Sequence, residues 1–224
     1  MTAQTTFLKQ LGAASATSIA ASQSASAGVG LTLTATPVVI DSITTTNTAL
    51  GRRVLITSTS GSETASVTIT GTNSSGNTIS ETDTFSGSST TLQSNLDYVT
   101  VSSVVPSGTI VGNLSAGTNG VGSSAWYTWD YYSNPPMNLG FAIEVISGSV
   151  NYTVQYTYDN PNDPLYNSGI VTSAPAYPTA FNSILVNQAA TADATISTPV
   201  VATRVLINSG TGEIRCRFIQ AGIG

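Results

Sequence analysis

The stretch Arg52-Arg53-Val54-Leu55-Ile56-Thr57-Ser58 decides the fold of this chain, because it combines β-branched residues with the turn signals that bound a β-strand. Its continuation, Ala65-Ser66-Val67-Thr68-Ile69-Thr70-Gly71, alternates apolar and polar residues with the period of a strand. Small residues around Gly61 separate the two stretches, as in a turn. We therefore predict a strand, a short turn and a second strand, paired as a hairpin.

The same sequence pattern is repeated later in the chain. Arg204–Ser209 repeats the first strand, glycines at 210 and 212 repeat the turn, and Ile214–Gly222 repeats the second strand. A shorter repeat precedes each copy, because the sequence of Thr36–Val39 recurs at Thr198–Val201. Two echoes in the same order indicate one architecture used twice. The predicted fold class is therefore all-β, with two β-sandwich (jelly-roll-like) halves and an extended N-terminal arm.

Residues 115–124, which are rich in glycine and small side chains, form the best internal boundary. Such a composition predicts a domain linker or a long loop. The predicted organisation is an N-terminal arm and linker at 1–30, a first sandwich at 31–118 and a second sandwich at 119–224.

The N-terminal arm is the segment that departs from the β pattern. Phe7, Leu8 and Leu11 lie at helical spacing, but residues 2–11 are too few for a helix that is stable alone. The segment is either a docking arm or a frayed tail, and residues 12–30 are either a linker or a strand along a neighbour. Because this region is Ala/Ser/Thr-rich and lacks a leucine-rich core, we expect no signal peptide.

Charge and hydropathy exclude several classes of partner. Only 8% of the residues are charged, and six basic against eleven acidic residues give a net charge of −5. So few basic residues cannot build a broad phosphate-binding face, so nucleic acid is not an expected partner. No apolar run is long enough for a membrane-spanning helix, so no membrane partner is expected either. The hydroxyl- and amide-rich surface is suited to packing against copies of itself.

The residue types also argue against an enzyme. The chain contains no histidine, which removes every triad or metal site that needs imidazole. Lys9 is the single lysine, and its place in the arm is unsuitable for a serine–lysine dyad. A glycosidase needs two carboxylates across a cleft, and no pair has a supporting signature among the candidates. These candidates are Glu63, Glu81, Asp83, Asp97, Asp130, Glu144, Asp159 and Asp163. We predict no catalytic residue.

No cofactor or metal is predicted. The loop from Asp159 to Asp163 could offer oxygen ligands to calcium, but it lacks the glycine and terminal glutamate of an EF-hand. Its prolines and Asx residues are typical of a simple turn. Cys216 is the single cysteine, so an intrachain disulfide is impossible, and strand alternation predicts that its side chain is buried.

Two groups of residues are candidates for contact with other subunits. Arg53 and Arg204 each precede the same apolar triplet, where an arginine would bind a carboxylate, cap carbonyl groups at a sheet edge or touch a neighbouring subunit. The aromatic cluster from Trp126 to Tyr132 is either a sugar-stacking platform or part of the core and an interface, and we favour the latter. The candidate interface residues are Phe7, Leu8, Leu11, Arg53, Trp126, Trp129 and Arg204.

Several strand-and-turn phrases give the chain, from about residue 35 onward, a resemblance to small virion structural proteins of tailed bacteriophages. They are Arg53–Ser58, Val67–Asn77, Ile79–Thr82, Asn138–Val145, Gly148–Pro161 and Arg204–Gly212. The resemblance implies a head decoration or cement protein, or a component near the neck. It carries no catalytic motif, so it assigns no residue a role.

The resemblance and the composition together lead to one expectation of function. The chain is expected to be a homotrimeric decoration protein on the outside of a capsid, made in the host cytoplasm, whose partners are the major capsid protein lattice and its own copies. A neck or tail component of the same virion is the first alternative. A glycan-binding adhesin that uses the aromatic cluster is the second.

Overall fold

β-Strands alone form the regular structure of the chain over residues 3–40, 50–130, 138–161 and 182–221, which are the residues that the computed structural model describes. The strands are β1 (Ala3–Gln10), β2 (Ser15–Gln23), β3 (Val38–Val39), β4 (Gly51–Ser58), β5 (Ser66–Thr72), β6 (Thr78–Thr84), β7 (Thr91–Tyr98), β8 (Thr100–Ser107), β9 (Leu114–Ser123), β10 (Tyr127–Thr128), β11 (Asn138–Ser147), β12 (Val150–Thr157), β13 (Asn182–Gln188), β14 (Ala192–Ile196), β15 (Ala202–Gly210) and β16 (Glu213–Ala221). The all-β prediction is confirmed.

The strands form three antiparallel sheets. A central sheet of eight strands has the order β13-β12-β15-β9-β4-β7, with β10 beside β15 and β2 beside β9. One four-stranded sheet, β3-β8-β5-β6, is called here the first outer sheet. The other, β1-β16-β11-β14, is called the second outer sheet.

Each outer sheet packs on one half of the central sheet. The first core lies between the first outer sheet and strands β2, β4, β7 and β9, and includes Val54, Ile56, Val67, Ile69 and Tyr98. The second core lies between the second outer sheet and strands β12 and β15, and includes Phe141, Tyr152, Val205, Ile207 and Phe218. Alternation along β4 and β5 places every second residue in the first core, as a half-exposed sheet requires.

The central sheet runs continuously from one sandwich into the other through β9. Gly122 and Ser123 pair with Arg52 and Gly51 of β4 on one side and with Ile207 and Leu206 of β15 on the other. Residues 115–124, predicted as a linker or loop, are therefore almost entirely strand. The two sandwiches are joined by ladder hydrogen bonds and not only by a tether.

Crowding explains the small residues of β9. A Cβ atom at Gly117 would overlap the carbonyl oxygen of Ser15, and one at Gly122 would overlap the side chain of Leu11. Glycine is needed at position 117 because backbone lies directly against the strand there, whereas at position 122 a larger residue would have to displace the side chain of Leu11. The loop-like composition of β9 therefore reflects the close approach of the N-terminal segment to this strand.

The predicted hairpins are wrong in their pairing. β4 pairs with β7 and β9, whereas β5 pairs with β6 and β8, so the two strands belong to opposite sheets of the first sandwich. β15 and β16 divide in the same way between the central sheet and the second outer sheet. The repeated unit is thus an arch that crosses a core. The alternation of buried and exposed residues determines which face of a strand is covered, but it does not determine which strand pairs with it.

The helical spacing in the N-terminal arm is also misleading. Residues 3–10 form β1, whose register with β16 runs from Ala3 opposite Gln220 to Gln10 opposite Glu213. Residues 15–23 form β2, which pairs with β9 in the first sandwich. The short segment gains a full ladder as a strand, whereas as an isolated helix it would be unstable. The N-terminal segment therefore contributes one strand to each sandwich of its own chain.

Candidate functional site

The two echoed arginines meet at one carboxylate, at the junction of the two sandwiches. Arg53 on β4 places its Nε 2.9 Å from Oδ1 of Asp97, which lies on the neighbouring strand β7. Arg204 on β15 places a terminal guanidinium nitrogen 3.3 Å from Oδ2 of the same Asp97. Asp97 therefore links a cation of the first sandwich with a cation of the second. We call Arg53, Asp97 and Arg204 the junction cluster.

Neighbouring polar groups hold the junction cluster in place. Ser123 of β9 donates its hydroxyl to Oδ2 of Asp97 at 2.8 Å. Arg53 also donates to the carbonyl oxygen of Ser94 at 3.0 Å, and Arg204 donates through Nε to Gln155 at 2.9 Å. Each arginine thus donates from two of its guanidinium nitrogens, and both side chains are largely buried, which restricts their geometry.

Trp126 closes one side of the junction cluster. The guanidinium carbon of Arg204 lies 4.7 Å from the centre of its ring, which is a cation–π arrangement. The half-buried Trp126 thus has one face covered by Arg204. The geometry is that of a structural clamp, since a charge-paired arginine on an aromatic ring offers no nucleophile or proton acceptor.

The other candidate interface residues lie elsewhere. Trp129 is 8% exposed in the second core, where its indole N–H donates to Thr203 at 3.1 Å and its ring lies at an edge to Phe141. Leu11 is buried in the same core. Phe7 and Leu8 lie on β1, opposite Cys216 and Arg215, and their side chains are outside the described structure, as are Tyr131 and Tyr132. Among the candidate residues whose side chains are described, Arg53, Arg204 and Trp126 come together.

Asp97, Ser123 and Gln155 were not among the predicted site residues. Asp97 was named only as one of eight carboxylates. A charged residue inside a strand already indicates an ionic partner in a chain with so few charges. Which cation binds it depends on long-range strand order, which the sequence pattern does not specify.

Glu63 is a buried carboxylate that serves the backbone. It accepts hydrogen bonds from the backbone N–H groups of Ala65, Val111 and Gly112 and from the hydroxyl of Ser58, at 3.1 to 3.2 Å. Burial alone would raise the pKa of Glu63, but the N–H donors outweigh it and hold the pKa below its ordinary value. The carboxylate therefore fixes the loop at 110–112 to the start of β5.

Glu81 and Asp83 lie side by side on β6 and face β7. The carboxylate of Glu81 accepts from the backbone N–H of Asn95 at 2.9 Å and of Leu96 at 3.2 Å. Asp83 accepts from the side-chain amide of Asn95 at 3.2 Å. Burial raises the pKa of both carboxyl groups, and for Glu81 it outweighs the two backbone donors. Glu81 thus joins the edge of the central sheet to the first outer sheet.

Cys216 and Lys9 are buried in the second sandwich. Cys216 is fully enclosed, as the strand alternation predicted, and burial raises the pKa of its thiol. Burial lowers the pKa of Lys9, which lies close enough to Cys216 to interact electrostatically. Lys9 lies on β1 and Cys216 on the neighbouring strand β16, and both side chains are buried.

A shallow groove of about 530 Å³ crosses the outside of the second outer sheet. Its charged residues are Glu144, Asp193 and Arg217, and Ala142 forms part of its lining. Glu144 binds Arg215 at 3.2 Å and Arg217 at 2.9 Å through a single oxygen. These three side chains are about 37–39% exposed, so water screens their attraction. The groove is therefore lined by weakly held charge pairs.

The ranges described above hold neither a cluster of metal ligands nor a helix that could span a membrane. Those residues contain no group of three or more His, Cys, Asp or Glu side chains that could hold a metal ion. Part of the Asp159–Asp163 loop, including Asp163, lies outside the described residues. The described part of the chain has no helix with the length and apolar character required to cross a bilayer.

No protein-family model, no curated protein and no solved structure matches this chain.

Proposed function

We propose that this chain is a non-enzymatic virion structural protein of a tailed bacteriophage, which binds the outside of the capsid shell and stabilises it. The observation that supports this most strongly is that several ionisable side chains bind other groups of the same chain. Arg53 and Arg204 are committed to Asp97, and Glu63 and Glu81 to backbone N–H groups. Each joins strands or loops to one another, which is the requirement of a rigid structural subunit.

The resemblance of the strand-and-turn phrases to small virion proteins of tailed phages supports the same proposal. A decoration subunit acts by mass action: a protein that binds only the assembled shell lowers the free energy of that shell relative to its dissociated or unexpanded forms. Its partners are then the major capsid protein lattice and its own copies, arranged as homotrimers, without nucleic acid, membrane or cofactor. It is made in the host cytoplasm and remains on the capsid exterior.

The glycan-binding alternative loses support from the position of the aromatic residues. Trp129 is enclosed in the core and cannot present a ring face to a sugar. Trp126 has Arg204 against one face. An adhesin would have to rely on the remaining face of Trp126 or on residues outside the described ranges.

The test is the number and position of copies in intact particles of the phage that encodes the chain. A decoration protein is expected across the whole head surface, at a ratio to the major capsid protein set by the lattice, and mass spectrometry with particle imaging measures both. A single ring at one vertex would instead assign the chain to the neck or tail. Absence from purified particles would refute both assignments.

A functional test uses particles that lack the protein. They are expected to release their genome at a lower temperature, and purified protein added back should restore the original temperature. The change should saturate when every lattice site is filled. Equal heat resistance with and without the protein would contradict a stabilising role.

A further inference from the structure

The outside of the first outer sheet carries an ordered array of hydroxyl groups. Three cross-strand pairs join β5 to β6 through oxygen–oxygen distances of 2.7, 2.8 and 3.0 Å, namely Ser66 with Thr84, Thr68 with Thr82 and Thr70 with Ser80. Thr72 continues the array to Thr100 of β8 at 2.7 Å. We call these residues, together with Thr78, Ser102 and Ser107, the hydroxyl face.

The hydroxyl face bears no charge. Charged residues occur in β5, β6 and β8 only at Glu81 and Asp83, and both of those side chains are directed toward β7 on the inner side. The exposed positions of β6 are instead Thr78, Thr82 and Thr84.

The pairing of the hydroxyl groups lowers the cost of covering this face. A hydroxyl removed from water without a partner is strongly destabilising, whereas one that is already hydrogen-bonded loses much less. Thr68 and Thr82 already bond to one another, and Ser102 and Ser107 donate to the carbonyl oxygens of Thr70 and Ser66. Each hydroxyl pair satisfies one of its two O–H donors, so covering the face costs less than covering unpaired hydroxyls, and the second donor of each pair is left to bond to the opposing surface.

We propose that the hydroxyl face is a contact surface between two copies of this chain, packed face to face about a two-fold axis. Two acidic copies repel one another wherever their charged surfaces approach, so an uncharged face is where they can meet. Two identical sheets also have the same twist, which allows them to pack with aligned strands as in a β-sandwich. This deepens the proposed function, because it specifies how neighbouring copies, or trimers of them, touch on a shell.

The contact is expected to be weak in solution. At ordinary strand spacing and rise, the face covers roughly 400 Å² per copy. The pair would bury less than the roughly 1,200–2,000 Å² of a stable protein interface. Copies held side by side on a lattice would form the same contact more readily, because their effective concentration is high.

Self-association of the isolated protein tests the proposal, and it does not depend on whether a shell is bound. The weight-average mass from analytical ultracentrifugation is expected to rise between roughly 10 µM and 1 mM, the range of a weak interface. Thr68 lies at the centre of the face, so Thr68→Glu and Thr68→Lys should each weaken association at least about tenfold through like-charge repulsion. A mixture of the two variants should associate again, and fluorescence anisotropy of labelled Thr68→Lys titrated with Thr68→Glu measures this.

The matched control is Thr195, an exposed threonine on β14 of the second outer sheet. Thr195→Glu and Thr195→Lys should leave association unchanged, and far-UV circular dichroism should verify the fold of all four variants. The proposal is overturned if the wild-type mass stays monomeric throughout the range, if charge at Thr195 weakens association as much as charge at Thr68, or if the Thr68 mixture fails to associate. Shell binding that fails while self-association holds would remove the proposed function and leave this contact standing.

Discussion

Arg53 and Arg204, which occupy equivalent positions in two echoed strands, bind opposite oxygens of one carboxylate and so join the two sandwiches. The sequence shows the equivalence of the two arginines, and the structure shows their convergence. Since each lies in a different half of the chain, Asp97 connects β4 with β15, two strands that are separated in the central sheet by β9. Its removal is the most direct test of how much the junction contributes to stability.

Asp97→Asn is expected to lower the free energy of unfolding by about 2 kcal/mol or more, because two partly buried guanidinium groups lose their charge partner. Urea denaturation followed by tryptophan fluorescence measures the loss. Asp193→Asn is the control, since Asp193 is exposed on β14 and its change should stay within about 0.5 kcal/mol. Equal effects at the two positions would contradict the role assigned to Asp97.

Arg53→Met and Arg204→Met should be non-additive, because both arginines share one acceptor. The coupling energy from the double-mutant cycle is expected to differ from zero by at least about 0.5 kcal/mol. Denaturation of the two single variants and the double variant gives this value. Additive losses would show that the arginines act independently.

Glu63→Gln should destabilise the protein by about 1–3 kcal/mol at neutral pH, because an amide cannot accept from all the N–H groups that surround the carboxylate. The pKa of Glu63 is lower in the folded protein than in the unfolded chain, so its contribution is present above the unfolded pKa and is lost as the pH falls through the folded pKa. The difference between wild type and variant should therefore shrink below about pH 4. A difference that is constant with pH would rule out this explanation.

Glu81 should show the opposite dependence on pH. Its folded pKa is raised, so the folded protein holds the proton more tightly and stability falls as the pH rises from the unfolded pKa to the folded pKa. Glu81→Gln removes this component, and its stability relative to wild type should increase with pH across that window. Thermal unfolding at closely spaced pH values, with Glu63→Gln as the counterpart of opposite sign, measures the trend. A relative stability that decreases with pH would contradict the raised pKa.

Gly117→Ala is expected to destabilise the protein by about 1–3 kcal/mol, since the added methyl group overlaps the backbone of Ser15 and Ala16. Gly120→Ala is its control on the same strand, because a Cβ there meets no atom within 4 Å. Chemical denaturation of both variants compares them directly. Equal losses would mean that β2 does not lie against Gly117 as described.

How much of this could be predicted from sequence is clearest at β4 and β5. The alternation around Val54 and Val67 correctly identified both strands and their buried faces. It could not show that the strands cross a core instead of pairing, since period-two alternation is the same for a hairpin and for an arch. The glycines of β9 misled for a related reason, because a composition typical of loops also suits a strand that another segment approaches closely.

The candidate site was predicted in part. A carboxylate was one of the alternative partners predicted for Arg53 and Arg204, and both arginines bind Asp97 in the structure. Their shared partner depends on the placing of β7 beside β4 and of β15 on the far side of β9, a long-range arrangement with no local signature. Leu11 and Trp129 could equally have been interface or core residues by type alone, and tertiary packing places both in the core.

The pairing of β1 with β16 has a consequence for the way the chain is made. During synthesis on the ribosome β1 emerges well before its partner, and the second sandwich cannot close until β16 has followed. Strands β3 to β9, by contrast, supply both sheets of the first sandwich from one continuous region. We expect vectorial folding in which the first sandwich forms early and β1 waits as an unpaired edge, so that contact order, more than final stability, limits the rate at which the native state is reached.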